Sequence, residues 1–219
     1  MNEIVIRLGA FFIMLFIMAT VELIFPKRAQ TLPKEKRYFI NFSFPLISNI
    51  FLKILAPFST ASVALLAQEN GWGFFALDFL AFVPFFVQVV VSIMFLDFII
   101  YGQHLIFHHS PLLWRLHKIH HIDQEIDVST ALRFHPVEII FSALVKCFFV
   151  LLLGVPFVAV VIFEVLLNAM AMFNHANIAL SKKVDLWLRR FIVTPDMHRV
   201  HHSTINSELN SNFGFNLSL

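Results

Sequence analysis

The sequence predicts an all-α integral membrane protein, about four to five membrane helices joined to a cytosolic His-rich helical lobe, and three observations carry that prediction. The 219 residues are 58% hydrophobic and 14% charged, with a mean hydropathy of +0.79, too apolar for a soluble domain that must wear a charged shell. Apolar runs of about 20 residues, the length a helix needs to cross a ~30 Å hydrocarbon core, recur along the chain. All 11 histidines fall in two less apolar segments, and none precedes residue 104. The net charge of +2 is small and dispersed, with no basic-aromatic stripe, which excludes nucleic acid as a partner.

Leu8 to Phe25 is the first expected span. Glu3 stands ahead of it and no small-residue cleavage pattern follows, so it reads as a retained helix and not a signal peptide. The second runs roughly from Phe42 to Ala67 and the third from Phe74 to Tyr101. Val137 to Phe173 is too long for one span and is interrupted by Gly154, Val155 and Pro156, which predicts two short helices in a hairpin. Glu22, Asp78 and Glu164 read as interfacial or intrahelically paired carboxylates, and the single cysteine, Cys147, as a small buried hydrophobe. The chain thus divides into N-terminal membrane helices, 1–96, and a chemistry-bearing region, 97–219, that contains the hairpin near 137–173.

Orientation follows from lysine and arginine, which cytoplasmic loops retain. Pro26 to Arg37 holds five of them; the turns at Gln68 to Gly73 and at Gly154 hold none. With the first loop inside, Gly102 to Pro136 and Asn174 to Leu219 fall on the same side, which places thirteen of the 16 basic residues in the cytosol and the start of the chain outside.

The histidines are ordered as His104, His108 and His109; His117, His120 and His121; and His198, His201 and His202, with the last two clusters sharing one spacing. On a helix, residues three or four apart share a face, so His104 with His108, and His117 with His120 or His121, can offer two imidazoles to one ion. Eight or nine imidazoles exceed the four to six donors one ion uses, so two metal ions are expected, with positions open for dioxygen; a closed tetrahedral zinc needs only four. His109 duplicates the pair that His108 completes and reads as a neighbour of the site. His135 suits a cap or a supporting role, and His175, just after the hairpin, a ligand. Asp97, Tyr101 and His104 lie at i, i+4 and i+7, so Asp97 and Tyr101 share the stripe of His104, and Asp97 is expected to orient an imidazole.

These residues resemble the fatty acid hydroxylase and sterol desaturase superfamily. Its Asp-x2-Tyr-x2-His-x3-His resembles Asp97, Tyr101, His104 and His108, and its Leu-Trp-x-x-His-x2-His-His resembles Leu113, Trp114, His117, His120 and His121. His-Pro-x-Glu matches His135, Pro136 and Glu138; Pro-x-x-His-x2-His-His matches Pro195, His198, His201 and His202; and Asn-x-Gly matches Asn212 and Gly214. The sequence departs from the pattern at Leu105, where many members have Arg, and at Ala179, where the hydroxylase branch has a further His. It also ends at Leu219, before a Trp-Asp-Arg-Leu-Phe-Gly-like tail, so a shortened tail is expected. The resemblance implies a di-iron centre ligated by His104, His108, His117, His120, His121, His175, His198, His201 and His202, with Asp97, Tyr101, His109, His135, Glu138 and Asn212 around it. It further implies dioxygen as oxidant, hydroxylation or desaturation of a sterol, fatty acyl chain or related lipid, and an electron donor of the cytochrome b5, ferredoxin or reductase type. A divalent-metal transporter or sensor would keep polar ligands near the midplane of its spans. A silent membrane scaffold would keep the fold alone, and a zinc hydrolase would carry His-Glu-x-x-His, which is absent.

Overall fold

In the computed structural model, which describes residues 3–54, 59–80 and 82–219, the described residues form ten α-helices and no strand beyond two isolated bridges. Four of the helices are long and apolar enough to cross a membrane: α1 (Glu3–Ile24), α4 (Phe85–His109), α6 (Pro136–Leu153) and α7 (Phe157–His175). Packing of α1 and α4 on α7, and of α6 on α4, gathers them into a bundle whose core is small and mostly aliphatic, built on Ala64, Leu96, Val150, Ala159 and Val160 with one aromatic ring, Phe163. Most large apolar side chains outside that core, such as Phe12, Phe16, Phe86 and Phe148, are exposed, as a lipid-facing surface requires.

The expected second span is two helices. α2 (Lys34–Ile54) starts eight residues earlier than hydropathy suggested, in a charged stretch, and α3 (Thr60–Asn70) starts afresh behind the side-chain cap of Ser59 on the Ser62 amide. The third expected span loses its first part: Phe74–Ala76 and Asp78–Leu80 are short 3-10 turns, and α4 begins after Pro84, which closes the preceding segment. At the other end α4 continues to His109, so its 25 residues, about 37 Å of helix, exceed the hydrocarbon core and carry His104 and His108 on its last turns. The hairpin forms as expected. Gly154 adopts φ 66° and closes α6 by donating to Leu151 and Val150 carbonyls, and Pro156 precedes α7. A Cβ at Gly154 would lie 2.4 Å from the Trp72 carbonyl oxygen, so both its conformation and its contact demand glycine.

The lobe sits on the end of the bundle where α1, α4 and α7 finish and α6 starts. It comprises α5 (Pro111–His121), a 3-10 turn at Val128–Leu132, and α8 (Lys182–Leu188), α9 (Pro195–His201) and α10 (Asn206–Leu209). The basic loop after α1 lies at this same end: Lys27 N donates to the Asn177 carbonyl and Lys27 Nζ pairs with Asp196 at 2.9 Å. Two buried carboxylate clamps fix the lobe. Glu22 is 1% exposed and accepts from the amides of Val128 and Asn177, both at 2.7 Å, with Lys34 at 3.5 Å. Arg37 bridges Asp123, in a two-pronged contact at 2.8 and 3.0 Å, and Asp127 at 2.8 Å. Removing one partner of such a pair leaves a buried charge alone, at a cost of about 3–5 kcal/mol.

One expectation about acidic residues is refined and one corrected. Glu22 lies in the last turn of α1, at its interfacial end, but it pairs outside its helix, with the amides of Val128 and Asn177 and with Lys34 of α2. Glu164 pairs between helices, with Arg7 of α1 at 2.7 Å and Lys146 of α6 at 3.3 Å, because a carboxylate inside an apolar bundle is stabilised by cations from its packing neighbours.

Candidate metal centre

Pro111 is the first residue of α5 and Ser110 ends α4, so the chain turns sharply at Ser110 and lays α5 back against the last turns of α4. That fold-back sets His117 and His121 beside His104 and His108. α9, capped by the Thr194 hydroxyl on the Met197 amide, brings His201 to the same place. One group of five results, His104, His108, His117, His121 and His201, and a second of four, His120, His175, His198 and His202; in each, the candidate ligand atoms lie within 4.8 Å of one another. On both short helices the i, i+4 pair stays together, while the residue between them in sequence, His120 or His201, faces the other group.

The ring nitrogens are sorted by their partners. His104 Nδ1 donates to the Phe213 carbonyl at 2.8 Å and His201 Nδ1 to the Ser211 carbonyl at 2.7 Å, and a carbonyl can only accept, so each neutral ring has its proton on Nδ1 and a bare lone pair on Nε2. Those two Nε2 atoms face each other at 3.1 Å. His117 Nε2 completes the set at 3.0 Å from His104 and 3.2 Å from His121, its Nδ1 held by Glu138 Oε1 at 2.6 Å. In the second group His175 donates from Nδ1 to the Ala171 carbonyl at 2.6 Å, and its bare Nε2 lies 2.9 Å from Nε2 of both His120 and His198; His202 is 3.1 Å from His120. His120 is stacked on Phe134, centroids 4.3 Å apart.

Lone pairs held this close repel unless a cation lies among them, so the donor set fits a metal ion in each group. Nε2–Nε2 separations of 2.9–3.2 Å put several donors of each group within reach of one ion. Electrostatics agree: burial first, then neighbouring imidazoles, hold His117, His120, His121, His198, His201 and His202 well below the ordinary histidine pKa, neutral and able to donate lone pairs.

Of the residues expected around the site, Glu138 touches a grouped imidazole directly. Asp97 does not. It accepts from Asn216 N and Nδ2 and from Leu217 N, at 3.3, 2.7 and 3.0 Å, and so ties down the C-terminal segment whose Phe213 carbonyl holds His104. His135 caps α6, accepting from the Val137 amide at 3.1 Å, and belongs to neither group. His109 is exposed and donates back to the Leu105 carbonyl; Tyr101 packs on Phe98 and Phe213. Asn212 donates from Nδ2 to its neighbour, Ser211 Oγ, and takes φ 53° where the segment bends over the first group. The carbonyls of Ala171, Ser211 and Phe213 were missed because a backbone acceptor leaves no mark in a sequence. Asn174, whose Nδ2 holds the Phe215 carbonyl at 2.7 Å, was adjacent to His175 and open to notice.

A family model described as fatty acid hydroxylase matches residues 89–219. Among curated proteins, the chain is similar to the ornithine lipid hydroxylase OlsE of Rhizobium tropici, 30% identical over 135 residues, which are 61% of this chain and 40% of that protein. The match therefore spans well under half of the relative's length. No solved structure matches.

Proposed function

From the premise that this chain belongs to the fatty acid hydroxylase family, we propose that it hydroxylates a polar membrane lipid, using dioxygen and a pair of iron ions held by the two imidazole groups. The observation that supports this most is the convergence of nine imidazoles into two adjoining sets whose Nε2 atoms face one another. The iron pair would supply activation of dioxygen and oxidation of a C–H bond. One oxygen atom goes to the lipid and the other leaves as water, so two electrons must come from an external donor. Hydroxylation is favoured over desaturation because both the family and the relative are described as hydroxylases, and the relative makes ornithine lipid the first substrate to try.

The protein's own part is positional. Glu138 and the carbonyls of Ala171, Ser211 and Phe213 fix tautomer and ring angle, which keeps the donors set before any ion arrives. The apolar bundle solvates the lipid tail, while the imidazoles stand at its end and not at its midplane, which disfavours a transport pathway. By the lysine and arginine count that end faces the cytosol, where a soluble or membrane-bound reductase can reach it. Metal analysis of the detergent-purified protein, run with dioxygen uptake under a chemical reductant and a lipid panel that includes ornithine lipid, tests the reading. About two irons per chain and lipid-dependent uptake are expected. Full turnover by His120→Ala or His201→Ala, with membrane insertion intact, would overturn it.

A further inference from the structure

Beside the second imidazole group the lobe opens into a cleft of about 560 Å³, walled by Lys27, Arg28, Asp196, Arg199, His202 and Glu208. A smaller cavity of about 210 Å³ adjoins it and shares Arg28 and Arg199. The depth of the cleft is set by α1: Lys27 and Arg28 follow its last helical residue, Ile24, by three and four positions, which puts them where a bilayer has headgroups. The larger cleft carries three cations against two carboxylates. Asp196 is already engaged by both Lys27 and Arg199. The Arg28 guanidinium has no counter-ion among the described residues, although it stands beside Arg199, a residue that is itself buried. Glu125, which also lines the smaller cavity, is engaged there, accepting from Thr31 and from the Leu32 amide.

Arg28 is also presented from a pinned backbone. Its amide donates to Asn177 Oδ1 at 3.1 Å and its carbonyl accepts from Asn177 Nδ2 at 2.8 Å, while the Asn177 amide is held by Glu22. Asn177 lies two residues after His175, so the position of Arg28 is tied to the second imidazole group. An exposed guanidinium with no ion-pair partner among the described residues, a buried guanidinium beside it and a half-polar cleft at headgroup depth suit an oxyanion.

We propose that this cleft is a subsite for the oxyanion, phosphate or carboxylate, of a polar lipid headgroup, with Arg28 and Arg199 as its cationic wall and His202 linking it to the metal-holding region. The proposal rests on the lipid reading above for its biological use, but binding can be measured without turnover. The full chain, metal-loaded in a neutral maltoside detergent, would be titrated with dihexanoyl phosphatidylglycerol, with dihexanoyl glycerol, which lacks the oxyanion, and with inorganic phosphate. Phosphatidylglycerol should bind at least about tenfold more tightly than either, Arg28→Gln should erase most of that margin, and Arg28→Lys should restore part of it. Equal affinity in wild type and Arg28→Gln overturns the subsite, and so does inorganic phosphate binding as tightly as the lipid, which would mark a site for a soluble anion. Arg28-dependent binding in a protein that oxidises no lipid leaves the subsite standing and removes the proposed function; turnover with Arg28-independent binding does the reverse.

Discussion

The two imidazole groups are built from the same short helices but held in different ways. In the group of five, His104, His117 and His201 each donate through Nδ1 to a protein oxygen at 2.6–2.8 Å. In the group of four, His175 alone does so at such a distance among the described residues, and His120 is held by stacking on Phe134. The second group also borders the polar cleft through His202, whereas the first is roofed by the C-terminal segment around Phe213. If each group holds an ion, the difference would favour firmer retention in the first group and easier approach from the cleft in the second. An ion in the first group would have five imidazoles to hold it, and one in the second group four.

The comparison breaks most sharply at a ligand. His175→Ala leaves the second group three donors and removes the ring anchored on the Ala171 carbonyl, so iron is expected to fall from about two to about one per chain and turnover by more than about 100-fold. His108→Ala leaves the first group four donors, and should keep about two irons with a loss nearer tenfold. Metal counting on the two purified variants decides it; equal metal loss would show that the groups do not differ in this way.

Glu138→Gln acts on the first group alone. An amide oxygen in place of the carboxylate still accepts from His117 Nδ1 but withdraws the charge that makes the ring a better donor. First-site iron affinity is expected to drop about 10- to 100-fold while the second site is unmoved. Graded chelation gives a smaller contrast in the wild type: the second ion, beside the open cleft, should leave first, in a release that resolves into two phases. A single phase would put the two sites on equal footing.

Much of this contrast could be read in the sequence, and its limits have physical causes. Eight imidazoles at three- and four-residue spacing, with His175 apart from them, point to two ions, but spacing alone leaves open whether His120 keeps company with His117 or faces away, because i+3 and i+4 both lie near one face and only packing chooses. The hydropathy average over Phe42 to Ala67 hides the restart at Ser59, since a cap is one polar residue in an apolar window. The amide partners of Glu22 were not legible because they lie 106 and 155 residues away. Asp97 was placed on the right stripe and given the wrong neighbour: its partners are the Asn216 side-chain amide and the backbone amides of residues 216 and 217, all about 120 residues away in sequence.

Asp97→Asn is the mildest test of the comparison. Asp97 accepts three hydrogen bonds from Asn216 and Leu217, and through them it holds the segment that brings the Phe213 and Ser211 carbonyls to His104 and His201. An asparagine retains one acceptor oxygen and turns an amide donor toward the other N–H, so about 1–3 kcal/mol of local stability should be lost. Because the segment anchors two rings of the first group and none of the second, the expected signature is selective. Amide exchange at residues 213–217 should quicken, and the slower phase of iron release should move toward the faster one, with the faster phase unchanged. If both phases quicken together, the C-terminal segment steadies the whole lobe and not the first group, and the distinction between a fixed site and an open one would have to rest on the ring contacts alone.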